Sequence, residues 1–184
     1  ELSGIPVEVD FASEFRYRNP RIINNSLVII ISQSGETADS LAALRLAKEC
    51  GTETLGIVNV LGSSIAREAD YVMYTYAGPE ISVATTKAYS AQLIAIYLLA
   101  MQLATSKGLL SEDDREELMK ELESLPDKIN KILEDKERIQ WFASKYANAK
   151  SIFFIGRGID YGICLEGSLK LKEISYIHSE AYAA

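Results

Sequence analysis

A run of aliphatic residues, Leu27-Val28-Ile29-Ile30-Ile31, stops abruptly at Ser32-Gln33-Ser34-Gly35-Glu36-Thr37, and a helical pattern follows at once. Apolar residues without alternation, most of them β-branched, read as a strand buried on both faces. That places the strand in a parallel sheet with helices above and below. Ligands in such sheets collect at the carboxyl ends of the strands, where the next helix directs its free N–H groups outward. Ser32, Ser34 and Thr37 bring three hydroxyls to that point, and Gly35 lets the backbone approach closely. The stretch reads as a cradle for a phosphate.

The rest of the chain repeats the pattern. Val7-Glu8-Val9-Asp10-Phe11 alternates apolar and acidic residues and predicts a short edge strand; residues 13–20 read as a loop or helical turn. After the strand at 26–31, helical spacing covers 36–50, with Leu41, Leu44 and Ala47 on one face and Gly51 as the stop. Strands follow at Thr54–Asn59 and Tyr71–Tyr76, separated by a short helix opened by Gly62-Ser63-Ser64. Strand, helix and strand at this spacing mean right-handed crossovers and a parallel sheet. Long helices are then predicted at 82–106, from Ser111 to a break at Pro126 with Leu118, Leu122 and Leu125 inward, and at 127–148. Ser151–Gly156 is a further buried strand, and Arg157-Gly158 leads into a helix over 160–177. The class is α/β, a three-layer parallel sheet with additional long helices.

Composition narrows the partners. The net charge of −7 and the absence of a basic cluster argue against a nucleic-acid surface. Cys50 and Cys164 lie far apart in apolar helical contexts without metal-ligand spacing, so two buried thiols in a reducing cytoplasm are expected, and no metal site. Residues 1–6 have neither a basic start nor an apolar core, so no signal peptide is expected there. Nineteen uncharged residues separate Lys87 from Lys107, about the length of a short membrane span. Ser90, Gln92, Gln102, Thr105 and Ser106 interrupt the run, which reads as a helix buried in a core or subunit interface rather than in a bilayer.

Three places carry candidate chemistry. At 32–37, one capping hydroxyl would need no ligand, but three hydroxyls with Gln33 and Gly35 exceed what capping requires. Val83-Ala84-Thr85-Thr86-Lys87 is a second helix start with paired hydroxyls; taken alone, it favours simple capping. Lys170 and Glu173 are three apart on a helix and share a face. By themselves they favour an ordinary surface ion pair, which contributes little. The functional alternative is a carboxylate base beside a cation, suited to moving a proton next to a carbonyl. His178, the only histidine, reads alone as structural.

Taken in order, Ser32–Thr37, Val83–Lys87 and Leu169–Tyr182, together with Ala12-Ser13-Glu14-Phe15-Arg16-Tyr17, resemble the sugar-isomerase (SIS) phosphosugar-binding family. The hexapeptide marks that wide family. The Lys-Glu helix and the Ala-Ser-Glu-Phe-Arg-Tyr stretch are similar to the isomerase half of the glutamine–fructose-6-phosphate aminotransferases, which make glucosamine 6-phosphate. The resemblance covers essentially the whole chain. It implies that Ser32, Gln33, Ser34 and Thr37 hold the phosphate of fructose 6-phosphate and that Val83 lines the sugar site. Glu173 would move a proton between C1 and C2 through a cis-enediolate, and Lys170 would stabilise or protonate neighbouring sugar oxygens. It further implies a homodimeric cytoplasmic enzyme with a glutaminase domain as partner, without metal or organic cofactor, nucleic acid or membrane.

The resemblance also implies parts beyond these residues: the glutaminase domain, an opening strand with its Cys-Gly-Thr-Ser-type loop, the stretch carrying the ring-opening histidine, and a C-terminal tail. His178 falls upstream of that histidine's place. The expectation is a piece of a longer enzyme, itself inactive. Residues 1–109 would be the first SIS subdomain without its opening strand–helix unit, 110–149 bridging helices, and 150–184 the start of a second subdomain. Rival readings are another SIS isomerase or deaminase and a non-catalytic sugar-phosphate sensor, against which Glu173 beside Lys170 argues. A last expectation is that strand 151–155 takes the vacant slot in parallel beside strand 26–31 or its neighbours, from the same or a partner chain.

Overall fold

The computed structural model describes residues 2–18, 20–23 and 25–184. The chain divides into two compact units, Glu1–Lys120 and Glu121–Ala184. In the first unit the order is α1 (Ala12–Phe15), β1 (Leu27–Ser32), α2 (Ala38–Glu49), β2 (Glu53–Val58), α3 (Ser64–Glu68), β3 (Tyr71–Tyr74) and α4 (Lys87–Ser106). Helix α5 (Glu112–Glu123) contains the division. The second unit holds α6 (Leu125–Leu133), α7 (Lys136–Tyr146), β4 (Ser151–Gly156), α8 (Ile159–Ser175) and β5 (His178–Ala183).

Strands β1, β2 and β3 form a parallel sheet in that order, with Ile30 opposite Gly56 and Ile57 opposite Met73. Alternate residues serve opposite faces. Ile30 and Val58 pack with Ala43 and Leu44 of α2 and Ile65 of α3. Leu55 and Ile57 meet Ala95 and Leu99 of α4 on the other side. Three layers result, as the pattern predicts. Leu44, Ile57 and Ile65 are fully buried, each worth about 1.5–3 kcal/mol of transfer free energy. Helix α4 is long and apolar enough to cross a bilayer by length and composition alone. Its Ala95 and Leu99 instead pack on the sheet.

Several local expectations are corrected. Strand β1 is covered on one face only: Leu27, Ile29 and Ile31 are about 40% exposed, because α4 packs across β2. Residues 7–11 form no strand, and Val7, Val9 and Phe11 stand exposed. Alternation creates a strand only where a partner edge is available. Helix α4 begins at Lys87 rather than 82, after a loop in which Tyr76 and Gly78 have positive φ. The helix expected at 127–148 is two, α6 and α7, broken at Asp135, a residue that competes with the helix for backbone hydrogen bonds. Pro126 stands in the first turn of α6, where its missing N–H costs nothing. Cys50 is exposed at the end of α2 and Cys164 half-buried, so the thiols are not two buried ones; both are free.

In the second unit β4 and β5 pair in parallel, from Ser151 opposite His178 to Gly156 opposite Ala183, with α8 as the crossover. The chain turns out of α8 at Tyr176, whose φ is +58°. Ser179 donates its hydroxyl to the Ser168 carbonyl at 2.8 Å and fixes α8 on β5. Strand β4 therefore pairs with β5 and not with β1, so the expected replacement of an opening strand does not occur within the chain. Strand β5 follows β4 by a single crossover helix, the usual route between adjacent parallel strands.

Candidate phosphate and proton-transfer sites

The turn after β1 is closed by its own hydroxyls. Ser32, 7% exposed, accepts the Gly35 N–H on Oγ at 3.0 Å, and the same oxygen lies 3.3 Å from Thr37 Oγ1. Ser34 Oγ accepts the Glu36 N–H at 3.2 Å. Gly35 has φ +66°, which a side chain would strain, and so supplies the reversal. Thr37 occupies the N-cap of α2 without making a side-chain cap bond. Its hydroxyl is engaged with Ser32 instead. The first amides of α2 have no acceptor within the helix and lie at the positive end of its dipole. Hydroxyls and amides thus converge at the carboxyl end of β1, in an arrangement suited to an anion.

Two carboxylates beside this turn are engaged elsewhere. Glu36 accepts the N–H and the hydroxyl of Ser64, both at 2.7 Å. Those bonds, the hydroxyl's first, hold its carboxyl below the usual glutamate range. Asp39 pairs with Arg16 at 2.7 Å, a bond that raises the guanidinium above its ordinary pKa. The Asp39 charge is thus paired with Arg16, just past α1, while Glu36, still ionised, is turned to the Ser64 donors of α3.

Val83 stands in the loop before α4, 96% exposed, with Ile81 beside it at 93%. Thr86 at the α4 N-cap makes no side-chain cap bond. Glu80 takes that role, accepting the Ala88 N–H at 3.2 Å. The loop is tied to the Ser32–Thr37 turn through Asn59: its N–H donates to the Gln33 carbonyl at 3.1 Å, and its Nδ2 donates to the Gly78 carbonyl at 2.7 Å.

Lys170 and Glu173 lie on α8 in the second unit, so the two groups of candidate residues stand on separate units. Lys170 Nζ is 2.7 Å from Glu173 Oε2 and 3.4 Å from Glu166 Oε1. The Glu173 bond, ahead of the opposing effect of burial and the added attraction of Glu166, raises the ammonium above its ordinary pKa. The group is a fixed cation between two carboxylates. His178 begins β5, with Nε2 3.6 Å from Glu180. Among the described residues no group of His, Cys, Asp and Glu is placed to hold a metal.

Asn59, Glu36, Glu80 and Glu166 are absent from the candidates read from sequence. Asn59 had a signal: it follows the carboxyl end of β2, the same position relative to β2 that Gln33 has relative to β1. Glu166 is four residues before Lys170 and shares its helix face. The partners of Glu36 and Glu80 depend on loop paths that no local pattern specifies.

The SIS domain model matches residues 1–102 and 145–184. The chain belongs to the SIS domain family. Over 183 residues, all of this chain and 30% of the relative, it is 61% identical to a glutamine–fructose-6-phosphate aminotransferase (isomerizing) of Caldanaerobacter subterraneus subsp. tengcongensis. The counterpart from Clostridium tetani is 60% identical over 184 residues, with the same coverage. The chain therefore spans about 30% of the length of these relatives. Among solved SIS structures, the C-terminal domain of glucosamine-fructose-6-phosphate aminotransferase from Francisella tularensis superposes with a TM-score of 0.96 at 39% identity. That match covers 100% of this chain and 52% of the other.

Proposed function

We propose that this chain is the phosphosugar-binding isomerase region of an enzyme that makes glucosamine 6-phosphate and glutamate from fructose 6-phosphate and glutamine. The observation that carries the reading is the Ser32–Thr37 turn, in which hydroxyls converge before α2 while Glu36 and Asp39 are engaged elsewhere. Similarity along the whole chain to aminotransferases named for fructose 6-phosphate supports the choice of sugar.

In this reading Ser32, Gln33, Ser34 and Thr37 hold the phosphate, and Val83 lines the sugar. Ammonia condenses with the C2 carbonyl of the open-chain sugar and water leaves. Glu173 then accepts the proton from C1, leaving a cis-enolamine, and returns it to C2, so that C1 becomes the aldehyde and C2 keeps the nitrogen; no oxidant is consumed. The developing anion needs a cation nearby, and Lys170, held protonated by Glu173, supplies it. Residues 1–109 form the first SIS subdomain, 110–149 bridge, and 150–184 open a second. A glutaminase domain supplies the nitrogen, and the enzyme works as a cytoplasmic homodimer without metal or organic cofactor.

The test is thermal unfolding of the chain with added ligand. Fructose 6-phosphate and glucosamine 6-phosphate should raise the melting temperature, and free glucosamine should not. Ser34→Ala should weaken binding by about 1–2 kcal/mol, the range for a hydrogen bond to a charged group. Equal stabilisation by the phosphorylated and free sugars would remove the reading.

A further inference from the structure

The geometry points to Asn59 as a positioning residue that determines sugar specificity, by fixing the distance between the phosphate turn and the loop that carries Ile81 and Val83. This inference rests on the function proposed above.

Asn59 uses its backbone and both ends of its side chain. Its N–H donates to the Gln33 carbonyl at 3.1 Å, inside the phosphate turn. Its Oδ1 accepts the Ala77 N–H at 2.8 Å and the Thr75 hydroxyl at 3.1 Å, while Nδ2 donates to the Gly78 carbonyl at 2.7 Å. One half-buried residue therefore ties the turn after β1 to the segment leaving β3. The segment needs such a tie. Tyr76 adopts φ +50° and Gly78 φ +72°, so the backbone reverses twice outside any helix or strand. A bulky non-glycine residue such as Tyr76 adopts positive φ only where its surroundings hold it there.

Beyond the reversal stand Ile81 and Val83, 93% and 96% exposed. Their side chains are apolar and in solvent, yet the backbone on both sides is held, by Asn59 at Gly78 and by Glu80 at Ala88. Such a placement suits side chains that close over a ligand's less polar face. For a sugar phosphate anchored at Ser32–Thr37, the Asn59 bonds decide how far from the phosphate that wall stands. Inorganic phosphate does not extend to the wall, so its binding is independent of Asn59.

The experiment compares two probes, inorganic phosphate and glucosamine 6-phosphate, by NMR titration of the chain and its variants. Asn59→Asp keeps the acceptor for Thr75 and Ala77 and removes the donor to Gly78. Its added charge acts on the phosphate of both probes, and the uncharged variant controls for its effect on the ammonium of glucosamine 6-phosphate. The ratio of the two affinities should fall about five- to tenfold in favour of inorganic phosphate, the effect of one lost hydrogen bond. Asn59→Ala, without added charge, should shift the ratio in the same direction, with inorganic phosphate affinity retained as the sign of an intact turn. An unchanged ratio in both variants, or an equal loss of both affinities in Asn59→Ala, overturns the inference. If the unaltered chain binds inorganic phosphate but gains nothing from the sugar, the proposed function itself fails, a result separate from any variant's.

Discussion

Gly35 lies directly against Ser63: a Cβ on the glycine would stand 2.1 Å from Ser63 Oγ and 2.6 Å from Ser63 Cβ. The Ser32–Thr37 turn and the start of α3 thus share one space that admits only a hydrogen. Gly35→Ala adds a strained positive φ, about 1–2 kcal/mol, to the displacement of Ser63, a residue 2% exposed. A stability loss of at least about 2 kcal/mol in urea is expected, with phosphate binding lost alongside. The Ser63 hydroxyl is buried without a hydrogen-bond partner. Ser63→Ala should therefore leave stability unchanged or raise it by up to about 1 kcal/mol, since an unsatisfied group is removed.

The carboxylate of Asp70 joins the starts of β2 and β3. It pairs with Lys48 at 2.8 Å and accepts the N–H and hydroxyl of the fully buried Thr54 at 2.9 and 2.7 Å. These bonds, that of Lys48 first, lower its pKa from 3.8 to about 2. A depressed carboxylate stabilises the fold above its unfolded value, and that contribution is lost as pH falls through the folded value. Stability should decline between pH 3.8 and about 2, and Asp70→Asn should flatten that segment of the profile. Urea midpoints measured across the interval check it; parallel profiles for both proteins would exclude Asp70 as the cause.

Glu36 braces the Ser32–Thr37 turn against α3. Glutamine can still accept the Ser64 N–H and meet the Ser64 hydroxyl, whereas alanine can do neither. Glu36→Gln should bind glucosamine 6-phosphate as well as the unaltered chain or slightly better, because a negative charge near the anion is gone. Glu36→Ala should bind at least several-fold more weakly, the consequence of losing two hydrogen bonds that hold the turn. Calorimetric titration of both variants decides, and equal weakening by both would show that the charge and not the clamp matters.

The layered α/β architecture was legible because parallel strands carry it in composition: β1 and β2 are aliphatic on both faces, and a helical period follows each. Coverage was not legible. Leu27, Ile29 and Ile31 read as buried, and their exposure depends on where α4 crosses, a tertiary property. Strand β5 escaped because His178, Ser179 and Glu180 carry no strand-forming run; its pairing with β4 follows from the crossover instead. The Ser32–Thr37 turn was legible as hydroxyl density. That Thr37 bonds Ser32 rather than capping α2, and that Asn59 holds Gln33, required coordinates.

Lys170 provides the last prediction. Its ammonium is raised above the ordinary lysine pKa chiefly by the 2.7 Å bond to Glu173. A raised cation contributes to stability below its unfolded pKa and loses that contribution as pH rises through the folded value, so near neutrality the pair is intact. Glu173→Gln replaces the carboxylate by an amide of nearly equal volume. Lys170 should then titrate at lower pH, read from the NMR signal of the methylated amine, while the fold is kept. In the full-length enzyme of the proposed reading, the same substitution should reduce sugar isomerisation by roughly 10²–10⁴-fold, the usual contribution of a positioned base. Glutamine hydrolysis, belonging to another domain in the proposed reading, should continue. Near-normal isomerisation with a shifted Lys170 would make Glu173 a partner of the lysine and nothing more. Loss of isomerisation with an unshifted Lys170 would place the base at Glu173 but deny that it holds the cation.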